Sequence, residues 1–275
     1  MTALPRDEHA DDGLDPLVHG EIGIIGRIST ASNVTLVAEA CVGDATVRCV
    51  YKPVRGERPL WDFPDGTLAG REVASYLISE ALGWHVVPQT ILRDGPLGVG
   101  MVQRWVDSVD NHTDVGDRLE LIDLVPAGVV PQGFIAVLQA WGPGGEEVAL
   151  VHADDPRLNR VAVLDVLLNN ADRKGGHALE GLDGQVYGVD HGICLHAENK
   201  LRTVLWGWAG ESVDDALMTD IETFAHKLPG EVADRLAPHI TDDEIEALAD
   251  RAAELLARPV MPHPRTNRPI PWPAF

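Results

Sequence analysis

The sequence predicts an α+β protein with two lobes around a cleft: a small β-rich N-terminal lobe and a larger, mainly helical C-terminal one. Three observations carry this. Strand-like alternation dominates residues 21–53 and 86–106, while capped helical patterns dominate from Asp155 onward. A chain of 275 residues is long for a single core but suits two lobes. The side chains best suited to chemistry gather in one loop-and-hairpin stretch, 169–192, far along the chain from a lone strand lysine at 52.

Taken in order, residues 1–18 hold five acids against the single Arg6 and show no periodicity, which predicts a disordered acidic tail. Three strands follow, at 21–28, 35–40 and 46–51. The loop between the first two, Ser29 to Asn33, is rich in hydroxyls and turn formers. It could present N–H and hydroxyl donors from Ser29 and Ser32 to phosphates, or serve as a plain hairpin turn, since no Gly-x-Gly-x-x-Gly pattern is present. A loop over 53–65 leads to a helix capped by Thr67 and stopped by Gly83. Strands at 86–93 and 100–106 flank the turn at 93–96, and Gln103 and Trp105 lead into a hinge between the lobes.

Residues 121–152 read as an insertion containing a hairpin of 134–141 with 147–152. The next helix has Asp155 as cap and Pro156 at its first position, with Leu158, Val161, Ala162 and Leu168 on one face. Asp165 interrupts that face, which predicts a buried acid accepting hydrogen bonds from the backbone of the following loop. Two later helices carry capping-box spacing, Ser212 with Asp215 and Thr241 with Glu244. Residues 258–275 are Pro-rich, with no acid; they suit either a disordered tail or packing through Trp272 and Phe275. The expected divisions are an acidic tail over 1–19, an N-terminal lobe over 20–106, a C-terminal lobe over 107–258 and a Pro-rich tail over 259–275.

Charge and composition narrow the partners. A net charge of −21 opposes nonspecific binding to nucleic acid and stable association with anionic membranes. Arg55, Arg58 and Arg71 are candidates for a local basic patch, or are ordinary surface charges. No apolar run approaches the length of a membrane span, and the N-terminus lacks the pattern of a secretory signal. Three cysteines without metal-binding spacing point to reduced thiols and a cytoplasmic location.

Only four of the 22 basic residues are lysines, and one of them, Lys52, sits in an alternating β-branched run where an ammonium needs a partner. Glu72 follows twenty residues later on the Thr67-capped helix. A strand lysine paired to a helix glutamate aims an ammonium at nucleotide phosphates in kinases; an edge-strand lysine that discourages aggregation is the alternative. The run 169–177, Asn-Asn-Ala-Asp-Arg-Lys-Gly-Gly-His, places Asp172 five residues before His177. Asp190 follows in a Val-Asp-His-Gly turn after a short hairpin. An acid and a ligand on one loop, then a second acid after a hairpin, is an order that kinase-like phosphotransferases use.

These residues resemble an atypical kinase-like family, the phosphatidylinositol 3-/4-kinase group and its bacterial relatives, among them the HipA kinases. Asn-Asn-Ala-Asp-Arg-Lys-Gly-Gly-His is similar to the type II phosphatidylinositol 4-kinase loop, and the resemblance covers roughly residues 20–230. It implies a protein-kinase-like fold, ATP and Mg²⁺ or Mn²⁺ as cofactors, and an unidentified hydroxyl acceptor, for which the charge of −21 favours a protein or small molecule over a lipid. It implies that Lys52 contacts the phosphates and Glu72 holds it, with Ser29, Ser32, Gln103 and Trp105 at the nucleotide. Asp172 orients the acceptor hydroxyl, Lys174 and Arg173 neutralise the transferring group or are ordinary surface charges, and His177 and Asp190 bind the metal. His177 departs from the family, which usually has Asn there; an imidazole favours softer ions such as Mn²⁺. A nucleotide-binding pseudokinase, a nucleotidyltransferase and a metal-dependent hydrolase built on Asp172, His177, Asp190 and His191 remain alternatives.

Overall fold

A computed structural model describes residues 14–28, 33–111, 119–142 and 144–275. Ser29, Ser32, residues 1–13 of the expected acidic tail and Pro143 of the expected hairpin loop lie outside them. Residues 14–19 are not a tail. Asp15 caps a single helical turn, α1 (Pro16–His19), and Leu17 is fully buried beneath the first sheet.

That sheet contains β1 (Glu21–Arg27), β2 (Leu36–Val42), β3 (Ala45–Pro53), β4 (Thr90–Gly95) and β5 (Gly98–Arg104), antiparallel throughout, in the order β1-β2-β3-β5-β4. Period-two alternation sorts β3: Cys49 and Tyr51 enter the small core with Ala38, Ala40 and Val102, while Val50 and Lys52 face the opposite side. Between β3 and β4 runs α2 (Leu68–Ala81), capped by the Thr67 hydroxyl accepting from Gly70 N and closed by Gly83 at φ 71°. The strand expected over 86–93 begins only at Thr90. Residues 86–89 are a loop held by Ser79, whose hydroxyl accepts from the N–H groups of Val86 and Val87, and Pro88 supplies no ladder donor. The hairpin turn is therefore Pro96-Leu97, later than the expected 93–96.

The insertion is a three-stranded antiparallel sheet. β6 (Ile122–Pro126), which the sequence reading leaves as a turn-rich segment, joins β7 (Phe134–Trp141) and β8 (Glu147–Ala153) in the order β6-β8-β7. Next comes α3 (Pro156–Leu168), capped by Asp155 and ended by Asn169 in the left-handed region at φ 51°. The loop after it leads to the small hairpin β9 (Ala178–Glu180) and β10 (Val186–Gly188). Helices α4 (Asp215–Lys227), α5 (Ala233–Leu236) and α6 (Asp242–Ala257) complete the helical region. The Thr241–Glu244 capping box is present; the expected box at Ser212 is not, because Asp214 caps α4 and Ser212 instead bridges to Val260. Among the described residues no helix is long and apolar enough to cross a membrane.

The main core gathers α3, α4 and α6 with Ala74 and Ile78 of α2 and Leu82 just after it. The helix that carries Glu72 is thus seated on the helical region as well as beside the sheet. The open, Pro-rich segment 259–275 packs back on this region: Met261 is buried and Pro269 accepts two hydrogen bonds.

Candidate active site

A cleft of about 730 Å³ opens between the five-stranded sheet and the loops after α3 and β10. Its sheet wall follows from strand register. Val50 pairs with Gln103 and Lys52 with Met101, so Val50, Lys52 and Gln103 share the face turned to the cleft. Gln103 is buried and donates to Thr90 Oγ1 at 2.8 Å, and Trp105 closes the same end with its amide donating to Arg48 O.

Lys52 Nζ lies 2.6 Å from Glu72 Oε1 and 2.6 Å from Asp190 Oδ1. Burial works against the ammonium, but Asp190 and then Glu72 outweigh it and raise the Lys52 pKa. Glu72 is fully buried and also accepts from the backbone N–H of His191 at 2.9 Å, which joins α2 to the turn carrying Asp190. Burial raises the Glu72 carboxyl against the pull of Lys52. Asp190 sits at φ 59° in that turn and about half of its side chain opens on the cleft. Although burial alone would raise it, Lys52 and then His177 hold the Asp190 carboxyl far below the usual carboxylate range.

His177 Nε2 stands 3.4 Å from Asp190 Oδ2, and its Nδ1 lies 3.1 Å from the backbone oxygen of Asp172. A carbonyl only accepts, so Nδ1 carries the proton and the Nε2 lone pair faces the Asp190 carboxylate. Burial lowers the imidazole pKa to about 4, and it is neutral at pH 7. A neutral imidazole nitrogen and a carboxylate oxygen 3.4 Å apart form a donor pair that could hold a divalent ion. Among the described residues no three His, Cys, Asp or Glu side chains converge on one point. Two protein ligands would leave the remaining positions of such an ion to other oxygen donors.

Asp172 lines the cleft beside this pair, with Lys174 Nζ at 3.3 Å. Burial raises its carboxyl despite Lys174, and Asp190 adds to the rise. Its N–H donates to Asn170 Oδ1 at 2.9 Å, and Asn170 Nδ2 donates to Asp165 Oδ1 at 2.8 Å. Asp165 is fully buried, as expected, but its carboxylate receives side chains and not loop backbone: Asn170, and Arg173 at 2.9 Å. Arg173 therefore does not face a transferring group. It is wholly buried, donating also to His177 O, Val189 O and His191 Nε2. Arg173 occupies His191 Nε2, and no three of Asp172, His177, Asp190 and His191 gather around one point, so the four-ligand hydrolase site does not form. Arg71 is likewise no surface charge: it is buried and bonded to Glu244 at 2.6 Å.

Three features escaped sequence reasoning. Asn170 carried a weak signal, an amide two residues before the acid. Glu57 caps α2 with both carboxylate oxygens, accepting from Leu68 N and Ala69 N, and so occupies donors that could otherwise meet a phosphate. Pro273 and Phe275 line the cleft, and nothing local in the sequence signals it.

No protein-family model matches the chain. Among solved structures, the crystal structure of the Golgi casein kinase superposes over 92% of this chain and 75% of that chain, with a TM-score of 0.51 at 12% identity. That likeness establishes the fold, a kinase-like α+β architecture with a β-rich region and a helical region. Weaker likenesses, both with a TM-score of 0.45, are to the structure of hydra Fam20 with sugar and to the Helicobacter pylori proinflammatory kinase CtkA. They cover 86% and 88% of this chain and 84% and 93% of those chains, at 12% and 10% identity. In sequence, the chain is 57% identical to Protein Rv2133c of Mycobacterium tuberculosis over 276 residues, which span 99% of this chain and 97% of the relative. The chain belongs to the family of Protein Rv2133c.

Proposed function

We propose that the protein is an ATP-dependent phosphotransferase acting on an alcohol group, functionally akin to the phosphatidylinositol 3-/4-kinase-like enzymes. The observation that carries this is Lys52, held at 2.6 Å by both Glu72 and Asp190 at the cleft. A cation clamped between a helix carboxylate and a turn carboxylate is placed to receive phosphate oxygens. In this reading the adenine lies against Val50, Gln103 and Trp105. Asp190 and neutral His177 would hold Mg²⁺ or Mn²⁺, which would supply neutralisation of the phosphates' charge. Asp172, its pKa raised, orients the acceptor hydroxyl and takes its proton, and Lys174 steadies Asp172. The net charge of −21 favours a small-molecule or protein acceptor over an anionic lipid surface. All three cysteines are unpaired, in keeping with a reducing compartment such as the cytoplasm.

Incubation with γ-labelled and α-labelled ATP is the direct test. Transfer of γ label alone supports the proposal, α label means nucleotidyl transfer, and bound nucleotide with no transfer leaves a binding module. Asp172→Asn should keep ATP affinity within a few-fold while lowering turnover by roughly 10²-fold or more, the scale of general-base contributions. Full turnover in that variant would remove this loop from the chemistry.

A further inference from the structure

The segment after α6 lies along the loop that carries Asp172. Pro269 O accepts from Thr203 N at 3.0 Å and from Trp206 Nε1 at 2.9 Å. Thr203 pairs in parallel with Arg173, and Ala274 O accepts from Gly175 N at 2.8 Å. The loop, the strip around Thr203 and the tail are therefore layered by backbone hydrogen bonds. At the end of this layer the Phe275 ring rests on Gly175 so closely that a Cβ added there would stand 2.3 Å from its Cε1. Only glycine leaves room for the ring. Pro273 and Phe275 line the same cleft as Asp172, Lys174 and Gly176. Gly175 is three residues past Asp172, whereas Val50, Gln103 and Trp105 form the opposite, sheet-side wall, so the ring stands where an acceptor would approach.

We propose that Pro273 and Phe275 form the acceptor-side wall of the cleft, and that Phe275 is a specificity-determining residue that keeps water from replacing the alcohol. This rests on the phosphotransferase reading. Were water admitted, its oxygen would bond to the γ-phosphorus as the bond from phosphorus to the β–γ bridging oxygen breaks. The products are ADP and inorganic phosphate, and the water proton passes to Asp172. An apolar ring in the wall of the cleft that Asp172 also lines offers that water no hydrogen-bond partner on one side. Phe275 is 46% exposed, and an uncovered ring face suits an acceptor that presents its hydroxyl from a flat or apolar body.

The test follows ADP release by the full chain with Mg²⁺ and ATP and no added acceptor, alongside ATP affinity by calorimetry. Phe275→Ala should raise ADP release about tenfold, equivalent to about 1.4 kcal/mol of barrier, with affinity little changed. Gly175→Ala, which displaces the ring from beneath, should raise it as well, while Phe275→Leu, which refills the wall, should stay near the unaltered protein. A gain of this kind does not arise from a damaged fold. ADP release that fails to rise in both Phe275→Ala and Gly175→Ala, with ATP still bound, overturns the wall and leaves the phosphotransferase reading standing. Failure of the unaltered protein to bind ATP overturns both.

Discussion

Lys52 and His177 show how single residues acquire roles from their partners. Lys52 retains its charge in a half-enclosed cleft because two carboxylates meet it, one of them fully buried. Lys52→Ala should remove at least one charge-assisted contact to a phosphate, of order 1.5–3 kcal/mol. Calorimetry should then record ATP binding weakened about tenfold or more. An unchanged affinity would reduce Lys52 to a strand residue paired for its own sake. His177 is prepared as a neutral donor by the Asp172 carbonyl at its Nδ1. His177→Asn substitutes an oxygen ligand and should shift the preferred ion from Mn²⁺ toward Mg²⁺. Titrating nucleotide binding with each metal measures this; an unaltered preference would show that the imidazole does not reach the ion.

Among the elements, α2 matters most. Its capped start and glycine stop are local, but its orientation comes from the helical region. Arg71, one residue before Glu72, bonds to Glu244 at 2.6 Å and to the carbonyl oxygens of Cys194 and Asp65. Gly70 sits against His239 O, where a Cβ would come within 2.9 Å. Glu244 serves twice, closing the capping box of α6 and holding Arg71. Glu244→Ala strands a buried guanidinium and should cost about 3–5 kcal/mol, read as a lower midpoint in urea denaturation. Because Glu72 moves with α2, ATP affinity should fall as well. A variant with unchanged stability would show that the pair does not tie the two regions together.

At the scale of the whole molecule, acid stability should be governed first by buried histidines. His152 is fully buried; its Nε2 accepts from Gly207 N at 3.1 Å and its Nδ1 faces Ala153 O at 3.0 Å, so the neutral tautomer satisfies both nitrogens. Burial lowers its pKa below the ordinary 6.5, only partly opposed by Ala153 O and Asp154. Below about pH 6.5 the unfolded chain therefore binds a proton that the folded chain refuses, and stability falls as pH drops toward the depressed folded value. The thermal midpoint should decline between pH 7 and 5, and His152→Gln should flatten part of that decline. A midpoint independent of pH over this range would show that burial does not hold His152 neutral.

What the sequence determined by itself was local or periodic. Alternation placed Lys52 on a strand, capping chemistry placed the starts of α2, α3 and α6, and a run of polar residues after α3 marked the loop carrying Asp172. The order lysine, helix glutamate, loop acid, post-hairpin acid was also readable, because chain order is a property of the sequence itself. Tertiary structure alone decided which cations serve the cleft: Arg173 and Arg71 read as free charges until burial and acid partners absorbed them. It also decided that His191 faces Arg173, and that Phe275 closes on Gly175. Arg71 meets Glu244, and Phe275 meets Gly175, across a hundred residues or more of chain, and Arg173 finds its partners 8 and 18 residues away on other elements. Neither hydrophobic period nor capping residue encodes such a meeting, because both report only on a side chain's nearest neighbours along its own element.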